Sequence, residues 1–226
     1  MNIAVINQKG GSAKTSLSVL ISLMLAGEGK VLCIDTDPQS GLSSFLAGNR
    51  EIKSGTYDLL MGELPEVITI ERHGVNIDLI GADYRLDMIY STIDSYAIKR
   101  ALKLIDKEYD YIVFDTPPTL PGITKACAVC ADIVITPADV SLSTIKPTLY
   151  TIKTLSELEK KSHVYIIGKD PEGKTGYIAD LTINFVEQIG ESFSGYIDRS
   201  ATNQKIVAGI SAINKKIKNQ LSGLLI

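Results

Sequence analysis

Residues 7 to 15 read Asn7-Gln8-Lys9-Gly10-Gly11-Ser12-Ala13-Lys14-Thr15, and their flanks decide the fold. Ahead of them lies Ile3-Ala4-Val5-Ile6, a short apolar run of the kind that forms a buried strand. Behind them, Ser16 to Leu25 carries the spacing of a helix. Strand, glycine turn, Lys-Thr and helix together make a cradle for phosphate. Successive backbone N–H groups and the helix N-terminus point at phosphate oxygens, the lysine neutralises them, and the threonine hydroxyl reaches Mg²⁺. The bland alternative, a glycine turn with solvated lysines, does not account for a strand and a helix placed correctly on either side.

The strict pattern G-x-x-x-x-G-K-[ST] fails twice, because its glycines fall on Gln8 and Ala13. The pattern that fits is K-G-G-x-x-K-[ST], with a second lysine, Lys9, at the head of the loop. This resembles the deviant Walker A motif of the ParA/MinD group of P-loop ATPases. The resemblance implies ATP with Mg²⁺ as ligands, held by Lys9, Gly10, Gly11, Ser12, Ala13, Lys14, Thr15 and Ser16. It also implies that Lys9 reaches across a dimer interface to the partner's nucleotide. Ala13 departs from the pattern; if its position requires a positive φ, alanine costs about 1 kcal/mol there.

Two further stretches support this reading. Lys30-Val31-Leu32-Cys33-Ile34-Asp35 predicts a second buried strand that ends in Asp35-Thr36-Asp37-Pro38-Gln39, and ligands of doubly wound sheets bind at such carboxyl ends. The run resembles the family's switch I. By that resemblance Asp37 positions the attacking water, and Asp35 supports the site through Mg²⁺ or its surrounding shell. Tyr111-Ile112-Val113-Phe114-Asp115-Thr116-Pro117-Pro118 delivers another acid at a strand end, the layout of a Walker B aspartate that holds a water on Mg²⁺. The D-T-P-P form is ParA-like. The resemblance thus implies catalytic roles for Lys9, Lys14 and Asp37, and a Mg²⁺ site made from Thr15, Asp35, Asp37 and Asp115.

A chain of 226 residues with 45% hydrophobic composition can bury one substantial core. The expectation is an α/β fold: one domain over residues 1–226, a doubly wound and mostly parallel sheet, helices on both faces. No apolar run is long enough to cross a bilayer. Three cysteines fit a reducing cytoplasm better than a disulfide framework. The expectation is a protein that is not exported and has no DNA-reading segment ahead of the phosphate loop. Cys127 and Cys130 stand three apart among alanines and valine, which favours core packing over a cluster or redox pair.

Short helices are expected at Leu42–Ala47 and Thr56–Met61, then a strand at Asn76–Ile80 and a helix from about Ser95 to Lys107. Beyond Asp115 the pattern predicts a helix bearing the two cysteines, a strand at Asp132–Pro137, a helix from Thr148 to Lys161 and a strand at His163–Ile167. Helices at Ile178–Ile189 and Ser211–Leu221 bracket a last short strand. Many relatives place an asparagine after the 163–167 strand to read adenine; Gly168-Lys169 stands there instead.

The net charge of −3 hides an asymmetry. The segment 199–226 has Arg199, Lys205, Lys215, Lys216 and Lys218 and no acid, leaving about −8 on the rest. The cations make either a solvated helix face or a surface for DNA phosphates, bound without sequence preference. With the family resemblance, the second reading implies a cytoplasmic, nucleoid-associated partition ATPase. ATP closes it into a homodimer, and a centromere-binding or cargo adaptor stimulates hydrolysis. Two alternatives remain: a MinD-like membrane cycle using Ile213, Ile217 and Leu221 beside the lysines, or the same engine positioning a protein cargo on the nucleoid.

Overall fold

The computed structural model describes residues 1–138, residues 142–160 (side chains from 146) and the backbone of 162–169 and 175–179. In chain order these residues form β1 (Asn2–Val5), α1 (Lys14–Leu25), β2 (Val31–Asp35), α2 (Gly41–Ala47), α3 (Thr56–Met61), β3 (Ile68–Arg72) and β4 (Val75–Ile80). They continue as α4 (Ala97–Ala101), β5 (Tyr111–Asp115), α5 (Ile123–Cys130), β6 (Ile133–Ala138), α6 (Leu142–Glu157), β7 (Ser162–Lys169) and β8 (Thr175–Ala179).

The strands make one sheet in the order β3-β4-β2-β5-β1-β6-β7-β8. Its six inner strands are parallel, and the edge strands β3 and β8 run antiparallel to their neighbours. Parallel strands need both faces covered, and alternate residues of a strand supply the two faces. Ile3 and Val5 of β1 join Leu17 and Ile21 of α1 and Leu42 and Leu46 of α2 in one core. Ala4 and Ile6 join Leu59 of α3, Ile98 of α4, Ala126 of α5 and Leu155 of α6 in the other. Each fully buried leucine or isoleucine contributes about 1.5–3 kcal/mol, so both faces carry a real core. This is the doubly wound architecture expected.

Register places the chemistry. Val5 and Asp35 both pair with Asp115, so β1, β2 and β5 end at one level on the carboxyl edge of the sheet. The phosphate loop, the loop after Asp35 and the turn after Asp115 therefore start side by side.

Four local expectations are corrected. β3 was not anticipated; Ile68 is buried but the rest of the strand is largely exposed, and a one-sided edge strand leaves little apolar pattern. The helix expected over 95–107 is α4 alone, followed by a 3₁₀ turn at Leu102–Leu104 and an extended Ile105, because the chain must reach β5 and Lys107 is drawn to Asp78. The helix expected from Thr148 begins six residues earlier and runs through Pro147, which removes one helical N–H donor but is tolerated here. Ile178 lies in strand β8 rather than at a helix start. The elements expected over residues 180–226, including the terminal helix and the strand at 195–197, lie outside the described residues.

Cys127 is fully buried and Cys130 half-buried, its sulfur facing Asn2 Nδ2 at 3.6 Å. Burial pushes both thiols up, away from the reactive thiolate.

Candidate nucleotide-binding site

The loop after β1 is fastened at its root. Ile6 N donates to Ile135 O at 2.8 Å. Buried Asn7 donates through Nδ2 to Pro137 O (2.7 Å) and Thr148 Oγ1 (3.0 Å), and its Oδ1 accepts from Lys9 N. Gln8 N donates to Thr151 Oγ1 at 3.4 Å. The tip stays open: Gly10 and Gly11 are exposed, and no atom lies within 4 Å of where a Cβ would sit on either.

Gly11 has φ +73° and Ala13 has φ 63°, ψ 28°, so the conformation that disfavours alanine is the one adopted. That costs about 1–2 kcal/mol, held by the anchored root on one side and helix α1 on the other. From Ala13 the chain enters α1, whose first-turn N–H groups have no partner within the helix. The Ser12 hydroxyl, in a residue only 5% exposed, has no partner among the described residues. Unpaired donors around an open glycine tip suit an anion with several oxygens.

Charge is arranged around that tip. Lys14 is buried, and its Nζ donates to Lys9 O at 3.3 Å. Burial lowers its affinity for a proton, while Asp115 and Asp37 oppose the shift by favouring the cation. The Lys9 ammonium has no ion-pair or hydrogen-bond partner among the described residues, so the two lysines of the loop face different surroundings. Asp115 is fully buried at the end of β5. Its Oδ2 accepts from Thr15 Oγ1 (2.7 Å), and its Oδ1 lies 2.8 Å from Ser18 Oγ. Asp35, opposite it on β2, is also fully buried. Desolvation, then mutual repulsion in the case of Asp35, pushes this pair upward toward neutral pH; hydroxyl and amide donors only partly offset it.

No three His, Cys, Asp or Glu side chains converge into a metal cage among the described residues. Magnesium fits such a site, because it keeps several waters and is held by one or two carboxylates together with phosphate oxygens. The Thr15 hydroxyl and Asp115 are the protein groups placed for that. Asp37 is half-buried above them, its Oδ1 accepting from Gln39 N at 2.9 Å. Gly41 at the head of α2 approaches Thr15 closely; a Cβ there would lie 3.4 Å from Thr15 Oγ1.

An AAA domain family model matches residues 1–166. The chain belongs to that family, in its ParA-type branch. This ParA-type domain is 32% identical over 164 residues to the sporulation initiation inhibitor protein Soj of Bacillus subtilis, covering 69% of this chain and 62% of that one. It therefore spans less than two thirds of that relative's length. It is 28% identical over 211 residues to the chromosome partitioning protein ParA of Myxococcus xanthus, covering 87% and 71%. Its structure resembles cobyrinic acid a,c-diamide synthase of Mycobacterium smegmatis, solved with ADP and magnesium: 26% identity, TM-score 0.63, covering 74% and 72% of the chains. The last match shows that this fold serves more than one chemistry, so function must be argued from the site.

Of the residues expected in the ParA-type site, Lys14, Thr15, Asp35, Asp37 and Asp115 come together at one sheet edge, and Lys9 to Ala13 form the loop above it. Ser16 is exposed on the first turn of α1. Arg199, Lys205, Lys215, Lys216 and Lys218 lie outside the described residues. Sequence reading missed Asn7, Ser18 and Ser43. Ser18 and Ser22 recur four apart on a helix face that otherwise packs leucine, valine and isoleucine, and both are fully buried. A hydroxyl on an apolar face was the available signal.

Proposed function

We propose that this ParA-type protein is an ATP-hydrolysing switch of a DNA partition system. The observation that carries the proposal is the separation of the two loop lysines: Lys14 turned into the acid-lined floor, Lys9 left with no partner of its own. In the proposed cycle Lys14 and the loop amides bind the phosphates of ATP. Thr15 and Asp115, with Asp35 and Asp37 nearby, hold Mg²⁺, which when bound neutralises charge on the transferring phosphoryl group. Asp37, on the loop that follows β2, orients the attacking water. Lys9 extends to the nucleotide of a second copy and so makes closure of the homodimer depend on ATP.

The closed dimer presents the cations of the C-terminal segment to DNA phosphates, without sequence preference. An adaptor bound to a centromere or cargo stimulates hydrolysis and releases it. No described helix is long and apolar enough to cross a membrane, and the reading puts the protein on nucleoid DNA in the cytoplasm.

The test is direct. Asp37→Ala is expected to abolish ATP turnover while leaving nucleotide binding, and Lys9→Ala to abolish ATP-dependent dimerisation. In co-sedimentation with ATP, the parent is expected to follow DNA rather than liposomes. Liposome binding without DNA binding sinks the partition reading, and a Lys9 variant that matches the parent in both ATP-dependent dimerisation and ATP turnover sinks the cross-dimer role.

A further inference from the structure

We infer that Asp35 and Ser43 form a clasp that positions the loop bearing Asp37, so that Ser43 is a positioning residue for hydrolysis and Asp35 acts on the loop rather than as a direct metal ligand. This deepens the proposed function and rests on it.

The geometry is a closed set of bonds around one buried carboxylate. Asp35 Oδ2 accepts from both Ser43 N (2.8 Å) and Ser43 Oγ (2.7 Å). Asp35 Oδ1 accepts from Asp37 N at 3.1 Å. The Asp35 carbonyl accepts from Thr56 Oγ1 at 2.6 Å, which fixes the end of β2 itself. Both carboxylate oxygens are thus turned toward the loop, in contrast to Asp115, whose oxygens meet Thr15 and Ser18 of the phosphate-binding helix.

The clasp also has an outer anchor. Ser43 Oγ, having donated to Asp35, accepts from Ala82 N at 2.9 Å, and Ser40 Oγ donates to Ala82 O at 3.0 Å. The segment from Thr36 to Ser43 is therefore strapped between β2 and the end of β4. Asp37 sits inside that strap, and its amide is one of the strapped groups. Ser40 holds φ 54°, a left-handed conformation that serine adopts at a cost and that the two straps maintain.

A carboxylate hydrogen bond from a hydroxyl or amide contributes more than a neutral one. Ser43→Ala removes the hydroxyl from Asp35 and the acceptor from Ala82 at once, while leaving the Ser43 amide in place. The loop then loses one of its two bonds to Ala82, keeping only the one from Ser40, and Asp37 loses its fixed approach. Catalysis falls steeply with small misplacement of a positioning group.

The experiment compares Ser43→Ala and Asp35→Asn with the parent in Mg²⁺-dependent ATP turnover, with folding checked by thermal melting. The clasp predicts that both variants lose about tenfold or more in kcat, while KM for ATP and the Mg²⁺ concentration for half-maximal rate stay within about twofold. If Asp35 ligates the metal instead, Asp35→Asn raises the Mg²⁺ requirement about tenfold or more and Ser43→Ala leaves turnover unchanged; that result overturns the inference. Amide hydrogen exchange in the unliganded parent gives a second readout that needs no activity and survives misfolding of a variant. The Ser43 amide, in the first turn of α2, is expected to be protected about tenfold or more over an open first-turn amide; an unprotected Ser43 amide also overturns the clasp. Absence of ATP turnover in the parent would instead count against the proposed function, leaving the clasp to the exchange result.

Discussion

Two groups of aspartates sit near the carboxyl edge of the sheet, and they are solvated by the protein in opposite ways. Asp58 and Asp83 share Arg85, which donates from Nη1 and Nη2 to Asp58 (2.9 and 2.7 Å) and from Nε and Nη2 to Asp83 (2.9 and 2.8 Å), with its guanidinium 4.7 Å from the Tyr57 ring centre. Burial alone would raise Asp58, but Arg85 and the Gly55 amide outweigh it and hold the carboxyl below its usual range. Asp35 and Asp115 are buried more completely and receive hydroxyls and amides, with Lys14 the cation that acts on Asp115. Their carboxyls are pushed upward. A fold that supplies a guanidinium for one acid group, and Lys107 for Asp78, leaves a deficit of positive charge at the other. That deficit lies beside the phosphate loop, where a divalent cation belongs.

The sharpest way to break the comparison is to remove the resident cation. Arg85→Ala strands a nearly buried Asp58 and is expected to cost about 3 kcal/mol in urea unfolding, in the range for breaking one side of a buried pair. A loss below about 1 kcal/mol would show that the cluster is solvated as a surface pair is.

Acidity separates the two groups next. Asp58 has a folded value below the ordinary 3.8, so its contribution is present above that value and fades as pH falls through the lower folded one. Asp35 and Asp115 have folded values above 3.8; the folded state holds their protons more tightly, and stability declines as pH rises from there toward neutrality. The unliganded protein is therefore expected to melt highest in mildly acid solution. Asp115→Asn, which keeps the shape and removes the charge, is expected to flatten the neutral side of that curve and leave the acid side unchanged. Equal slopes in variant and parent would contradict the charge deficit.

The smallest effect concerns the loop itself. Ala13→Gly removes the left-handed strain and is expected to stabilise by up to about 1 kcal/mol, read as a rise of a few degrees in melting temperature. A lower melting temperature would mean that the unfolded-state entropy of glycine outweighs that strain.

Much of this was legible in the chain. The strand–loop–helix around Lys9 to Thr15 and the acids at the ends of two apolar strands specified the sheet edge, because buried parallel strands are written as unbroken apolar runs. Ala13 even announced its own strain by standing where glycine is usual. What stayed hidden was written in small polar residues. Asn7, Ser18 and Ser43 act through hydrogen bonds to Thr148, Asp115 and Asp35, which lie 141, 97 and 8 positions away, and no local pattern encodes such distances. The edge strand β3 was missed for a related reason: a strand that packs one residue firmly and exposes the rest carries almost no periodic signal.

The central claim is that the Asp35–Asp115 floor awaits a cation delivered with phosphates. It is tested most directly by calorimetric titration of ATP into the parent and into Asp115→Asn, each with and without Mg²⁺. The account predicts that Mg²⁺ tightens ATP binding to the parent about tenfold or more and that Asp115→Asn loses most of that gain. No ATP binding by the parent, or the same Mg²⁺ gain in both proteins, would contradict it.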